Sequence, residues 1–300
     1  MDKLFEEVEE PVSPHEQYFN SFVICSYVFG FLELAIPCDD SLAIPLIKDV
    51  FLPINPHFSS IMVRDKDGKK RCQKVAVKPE EHTINDVICG MIFYGLRLYM
   101  EEMNEKTKRA NSTAVVMLNT RNIEGYQSLR EMQKPEFKSL WGNKLSFLQI
   151  PIPKLNQSEI SNPLEFVLKA RELIKRKKSS FNVYLIGLLM DLEMKLRGSE
   201  AVSRVIYDTI GNTSVLISNL VGPVEKMALA NHPVNGLYFT ATGGPQDTTI
   251  TIKSYVKTIK VTMKTLKGYI DERKLKLCME KAVEVIFKAS MEISEISTKD

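Results

Sequence analysis

Proton transfer near neutral pH is the work of imidazoles, and this chain has four, His15, His57, His82 and His232, no two of them adjacent. His57, ahead of Phe58-Ser59-Ser60, and His232, ahead of Pro233, read as surface or turn residues. Other polar groups gather in short blocks: Asn85-Asp86, Asn119 with Arg121, Trp141-Gly142-Asn143, and Ser218-Asn219 ahead of Gly222-Pro223. Each block has a chemical and a structural reading. Asn85 and Asp86 can line a reaction channel or cap a helix. Arg121 can hold a carboxylate such as Asp86 through two parallel hydrogen bonds, in a site or in a structural ion pair. Trp141 can mark a site or plug a corner of the core. Ser218 and Asn219 can offer polar groups to a substrate, while Gly222-Pro223 also reads as a strand-ending turn. The run Lys175-Arg176-Lys177-Lys178 can hold phosphates or lipid headgroups, or simply close a helix in solvent.

Several chemistries are excluded. The five cysteines are widely spaced and form no Cys-x-x-Cys pair, which argues against zinc or redox work and for a reducing, cytosol-facing compartment. There is no metal-ligand cluster, phosphate-cradling glycine loop or nucleophile triad. A net charge of +3, with no basic block interleaved with aromatics, argues against nucleic acid. The acidic start Met1-Asp2-Lys3-Leu4-Phe5-Glu6-Glu7 is not a secretory signal. No apolar run reaches the ~18 residues of a membrane span, and Asp191 stops the best candidate, Val183 to Met190, so membrane contact would be peripheral. With 44% hydrophobic and 26% charged residues over 300 positions, the chain is globular and long enough for one large domain or two smaller ones.

The clearest positioning element is a helix from Thr83 through Met103. Ile84, Val87, Ile88, Met91, Ile92, Leu96, Tyr99, Met100 and Met103 recur at three- and four-residue steps on one face. Thr83 is its N-cap candidate and Asp86 completes a loose capping box. Gly90 and Gly95 each cost about 1 kcal/mol there unless something packs closely. Before this helix, Phe22 to Ala35 reads as a buried strand and Asp40 to about Leu52 as a helix; His57–Val63 and Gln73–Val77 read as strands around a charged turn. After it come a strand over Ser112–Leu118, a strand over Lys144–Ile152 and helices over Pro163–Lys178, Tyr184–Leu196 and Ser199–Tyr207. Strands over Thr213–Leu220, Leu237–Thr242, Thr248–Tyr255 and Ile259–Leu266 follow, with Lys253, Lys257, Lys260, Lys264 and Lys267 on solvated positions. Asp271 caps a closing helix that turns Leu275, Met279, Ala282, Ile286 and Ala289 inward.

The block Asn85-Asp86-Val87-Ile88-Cys89-Gly90 resembles the motif that opens the second half of the plant wax ester synthase/diacylglycerol acyltransferase family. Val116-Met117-Leu118-Asn119-Thr120-Arg121, Trp141-Gly142-Asn143 and Ser218-Asn219-Leu220-Val221-Gly222-Pro223-Val224-Glu225 follow in the family's order. The opening strand, helix, proline-rich turn and hairpin, with Pro11-Val12-Ser13-Pro14, resemble the family's opening. This implies a mixed α/β, chloramphenicol acetyltransferase-like fold of two lobes around a tunnel, residues 1–82 being a remnant of the N-terminal lobe and 83–300 the C-terminal domain. It also implies an acyl-coenzyme A-dependent O-acyltransferase that makes wax esters or triacylglycerol from long-chain alcohols or diacylglycerol. The setting would be the cytosolic face of the endoplasmic reticulum or the plasma membrane. Acyl-coenzyme A is then a co-substrate, with no tightly bound cofactor and no nucleic acid.

In relatives, a long segment bearing His-His-x-x-x-Asp-Gly separates the blocks that here meet at His82 and Thr83. Glu81-His82-Thr83-Ile84-Asn85-Asp86-Val87 keeps only His-x-x-x-Asp, so His82 is either the base or a loop histidine at a junction. Carried over from the family, Asn85, Asp86, Asn119, Arg121, Trp141, Asn143, Ser218, Asn219, Gly222 and Pro223 become substrate-binding positions. An incomplete first lobe implies exposed apolar surface and self-association. It also opens a second reading, an inactive relative such as a splice product that binds lipid or a partner protein.

Overall fold

Alternation along the strands and three-to-four periodicity along the helices give each element a buried side, and the topology follows from matching those sides. The computed structural model describes residues 14–19, 21, 23–37, 40–51, 84–103, 107, 110–119, 134, 145–178 and 181–297. In chain order the elements are α1 (Pro14–Phe19), β1 (Tyr27–Leu34), α2 (Asp40–Leu46), which runs into a π-turn at Ile47–Phe51, and α3 (Ile84–Met103). Then come β2 (Thr113–Asn119), β3 (Leu145–Pro151), α4 (Gln157–Ser161), α5 (Pro163–Lys178), α6 (Phe181–Arg197) and α7 (Ser199–Gly211). The last part is β4 (Val215–Leu220), β5 (Ala228–Leu229), β6 (His232–Thr242), β7 (Thr248–Tyr255), β8 (Thr258–Thr265) and α8 (Glu272–Ser297). The expected strands between His57 and Val77 lie outside the described residues.

Two sheets form. The larger has the order β3-β2-β4-β7-β8; β2, β4 and β7 run parallel, and β3 and β8 flank them antiparallel. The smaller, β1-β6-β5, is antiparallel. One face of the larger sheet carries Ala114, Val116, Leu148, Ile150, Val215, Ile217, Ile250 and Ile252, and α3, α5 and α8 cover it to make the main core. Both sides of such a sheet must be shielded, because its inner strands alternate apolar residues onto either face. On the far face, Tyr18, Ile24, Val202, Ile206 and Ile210 form a second core against Phe147, and the smaller sheet approaches β7 through Thr251, whose hydroxyl donates to the Phe239 carbonyl.

The two helix glycines have the close neighbours that their propensity cost requires. A Cβ on Gly90 would stand 3.1 Å from Val167 Cγ1, and one on Gly95 would stand 3.2 Å from the Met279 Cα. Here α3 meets α5 and α8 nearly backbone to backbone. The same helix buries Arg97, 2% exposed, where the pattern offers no warning of a charge. Its Nε donates to the Pro153 carbonyl at 2.7 Å, Nη2 to Ile152 at 2.5 Å and Nη1 to Ala110 at 3.1 Å. Three carbonyls that would otherwise be unpaired thus compensate the desolvation that lowers the guanidinium pKa, and nearby Glu101 works in the opposite direction.

Four expectations change. β1 is not buried: Val28 is 68% exposed and Tyr27, Phe29, Phe31 and Leu32 are also exposed, because among the described residues β1 pairs with β6 alone and lies at the end of its sheet. The helix after Gly198 runs four residues past Tyr207, carrying Ile210 into the second core. β6 starts at His232 rather than Leu237, since a hairpin from β5 feeds it through Ala230 and Asn231, both at positive φ. Lys253 and Lys260 are not simply solvated. Lys260 pairs with Glu33 of β1 and lies over the Tyr238 ring, and Lys253 is half-buried.

Candidate functional site

Ligands of open, mostly parallel sheets bind where the parallel strands end, since there the backbone leaves the ladder and loops diverge. In the register of the larger sheet Met117 pairs with Ser218, and Ser218 with Thr251, so the three side chains share one row on the face away from α3. Asn119 lies two residues beyond Met117 and Leu220 two beyond Ser218. The ends of β2 and β4 are therefore side by side, bringing Asn119 and the Ser218-Asn219 pair to one edge.

Helix α3 is fastened to the opposite end of the sheet. Arg97 is tied to Ala110, Ile152 and Pro153, around the beginning of β2 and the end of its antiparallel partner β3. From Arg97 back to Asn85 the helix spans about 18 Å, close to the roughly 20 Å from Thr113 to Asn119 along β2. Asn85 and Asp86 lie in the first turn of this helix, on the sheet face opposite the Met117–Ser218–Thr251 row. These two residues and Asn119 are placed by their backbone. His82, Arg121, Trp141 and Asn143 lie outside the described residues, as does His57.

Ser218 is buried and Asn219 half-buried. The turn after β4 is fixed by its own contacts. The Gly222 N–H donates to Ser254 Oγ at 2.9 Å, and the Val256 N–H donates to the Pro223 carbonyl at 2.8 Å. A Cβ on Gly222 would stand 1.8 Å from the Ser254 carbonyl, so that position admits glycine alone. Gly222 and Pro223 thus have a definite structural task, folding the chain over the end of β7.

Sequence reasoning missed one charged group at this edge. Lys253 pairs with Leu220 two residues beyond the Ser218–Thr251 pair, and its Nζ reaches to 3.5 Å from the Val221 carbonyl. Burial lowers its pKa. A partly desolvated ammonium suits a phosphate or a developing oxyanion, because charge interactions strengthen as water is excluded. The alternation of β7 places Lys253 on the far face with Thr249 and Thr251, which was the available signal.

His232 is buried, and its Nδ1 lies 2.7 Å from the Ala230 carbonyl and 3.2 Å from Leu229, so this nitrogen carries the proton and ties down the β5–β6 turn. His15 is placed in α1 by its backbone. Among the described residues no group of three His, Cys, Asp or Glu side chains could hold a metal ion.

A sheet covered on one side by α3, α5 and α8, with Asn119 and Ser218-Asn219 side by side where β2 and β4 end, is a mixed α/β domain. Residues 141–287 match the family model of the WS/DGAT C-terminal domain. Wax ester synthase/diacylglycerol acyltransferase 4 of Arabidopsis thaliana is 30% identical over 192 residues, covering 60% of this chain and 36% of the relative. Number 5 of the same plant is 26% identical over 238 residues, covering 72% and 45%. Among solved structures, a wax ester synthase/diacylglycerol acyltransferase from Marinobacter aquaeolei VT8 aligns with a TM-score of 0.45 at 11% identity, over 88% of this chain and 49% of that one. A trichothecene 15-O-acetyltransferase from Fusarium sporotrichioides aligns with a TM-score of 0.45 at 10% identity, over 88% and 47%. Residues 141–287 thus resemble the C-terminal domain of the wax ester synthase/diacylglycerol acyltransferases, and the chain is similar to plant members of that family. It spans less than half the length of these curated relatives.

Proposed function

We propose that this chain is the substrate-receiving half of an acyl-coenzyme A-dependent O-acyltransferase. Its substrates are a long-chain alcohol or diacylglycerol, and it works at the cytosolic leaflet of the endoplasmic reticulum. The observation that supports this reading is the parallel register of β2 and β4, which sets Asn119 beside Ser218-Asn219 at the ends of these strands. In that reading the substrate passes the ends of β2 and β4 beside Asn119, and Lys253 faces the phosphates or the thioester oxygen of the co-substrate. Transfer itself requires a base to take the hydroxyl proton as oxygen attacks the thioester carbonyl and the thiolate leaves. His82, which keeps the His-x-x-x-Asp part of the family signature with Asp86, is the candidate.

A second reading rests on the histidines. With no adjacent pair in the sequence and His232 engaged in structure, the chain can bind acyl substrate without turning it over. Self-association through the exposed apolar side chains of β1 is compatible with either reading, and light scattering measures it.

The test is to incubate the purified chain with labelled palmitoyl-coenzyme A and hexadecanol or dioleoylglycerol, scoring ester formation and, separately, retention of the acyl donor. Ester lost in His82→Ala establishes the transferase. Saturable retention weakened by Ser218→Leu, without ester, establishes the binding relative. Neither ester nor retention refutes both.

A further inference from the structure

Lys253 and Lys260 stand directly opposite each other in the β7–β8 pair and so share one face, with Cβ atoms about 5 Å apart. Like charges so placed repel, and the fold treats the two differently. Lys260 crosses to the smaller sheet, pairs with Glu33 of β1 and lies over the Tyr238 ring. Lys253 has no such partner: among the described residues no carboxylate pairs with it. Its stem lies against the turn after β4, where a Cβ on Gly222 would stand 2.9 Å from its Cε. Its Nζ ends 3.5 Å from the Val221 carbonyl, at the limit of a hydrogen bond. Burial lowers its pKa. An amine that is partly desolvated and faces another cation is a lysine made ready as a nucleophile, since both effects favour its neutral form.

We propose that Lys253 is an acylation site, its ε-amine taking an acyl group directly from a thioester. The neutral nitrogen attacks the thioester carbonyl carbon. A C–N bond forms as the C–S bond breaks, the sulfur leaves with the electron pair, and the proton shed by the nitrogen ends on the thiolate. No metal, oxidant or second enzyme enters this balance. The product is an uncharged amide, so the modification removes a cation from the ends of β4 and β7. Lys260 is taken up by Glu33, and Lys257 and Lys267 are exposed and lack the burial that activates Lys253. The proposal goes beyond the transfer of an acyl group to an alcohol and rests on that reading only for the thioester that feeds it.

The experiment requires no coenzyme A site. The full chain is incubated at neutral pH with S-acetyl-N-acetylcysteamine, a short thioester without phosphates, and acetyl-lysine is quantified by mass spectrometry of chymotryptic peptides. Lys253 should be acetylated about fivefold faster than Lys257 and Lys267. Unfolding in guanidinium chloride should abolish the preference. Glu33→Gln, which strips Lys260 of its counter-charge, should speed acetylation of Lys253 about twofold or more in protein whose circular dichroism is unchanged. Equal rates at the three lysines of the folded chain overturn the proposal, as does a preference that survives unfolding. A folded Glu33→Gln protein in which Lys253 reacts no faster overturns it too. Palmitoyl-coenzyme A, used in parallel, separates this proposal from the transferase reading. A Lys253 rate that saturates with its concentration supports both, whereas a rate that stays linear supports the acylation site and counts against a coenzyme A-binding edge.

Discussion

Replacing Arg97 by Met tests how this domain tolerates a buried cation. The substitution keeps the aliphatic stem and removes a guanidinium that serves three carbonyls, Ala110, Ile152 and Pro153, from a site only 2% exposed. Losing three charge-assisted hydrogen bonds, at about 1.5 kcal/mol each, costs roughly 4 to 5 kcal/mol. Removing a buried charge returns about 1 to 2 kcal/mol of desolvation, leaving a net loss near 3 kcal/mol. At about 2 to 4 °C per kcal/mol for a domain of this size, the Tm should fall by about 6 to 12 °C. Thermal unfolding followed by circular dichroism gives the number. Arg97→Lys should retain only part of the lost stability, because an ammonium lacks the planar fork that reaches three acceptors at once. A fall of less than about 2 °C for Arg97→Met would mean that the carbonyls find other partners and that the arginine does not fasten α3 to the β2–β3 end.

Gly95→Ala sets about 1 kcal/mol of helix propensity against a Cβ placed 2.6 Å from Met279 Sδ and 3.2 Å from its Cα. The thioether can move but the backbone cannot, so urea unfolding should show a net loss of about 1 kcal/mol, and a gain would refute the close approach. Gly222→Ala, with its Cβ 1.8 Å from the Ser254 carbonyl, should cost about 3 kcal/mol, read as a lowered Tm and poorer soluble yield. Burial, aided by Glu102 and opposed by Lys281 and Lys274, holds the Cys278 thiol up at about 11. Because that folded value lies above the ~8.5 of an unfolded thiol, the stabilisation is complete below about pH 8.5 and is lost as pH rises through the folded value. The stability difference between wild type and Cys278→Ala should therefore shrink between neutral pH and about pH 11, and a constant difference in urea titrations would contradict it.

Periodicity carried most of the elements because a buried face repeats in the sequence at the period of its backbone. The long run from Ile84 to Met103 could bury its apolar stripe only as a helix, Pro163 and Asp271 marked helix starts, and the alternating strands from Thr248 to Thr265 had to pair. The glycines at 90 and 95 even announced close packing, though not against what. Long-range pairing was different. Nothing local to Tyr27–Leu34 says that it sits at an edge rather than inside a sheet; its apolar composition pointed to burial, and the pairing with β6 left it exposed. Arg97 has the burial of a core residue and the chemistry of a surface one, and the conflict resolves only when the carbonyls of Ile152 and Pro153, more than fifty residues away in the chain, join that of Ala110 around its fork. The order β3-β2-β4-β7-β8 is likewise what places Asn119 beside Ser218-Asn219 and Lys253 behind them. Residue types and spacings thus determined which groups were available, while the tertiary structure decided which of them meet, because contacts between segments far apart in sequence depend on strand order and register, and neither has a local signature.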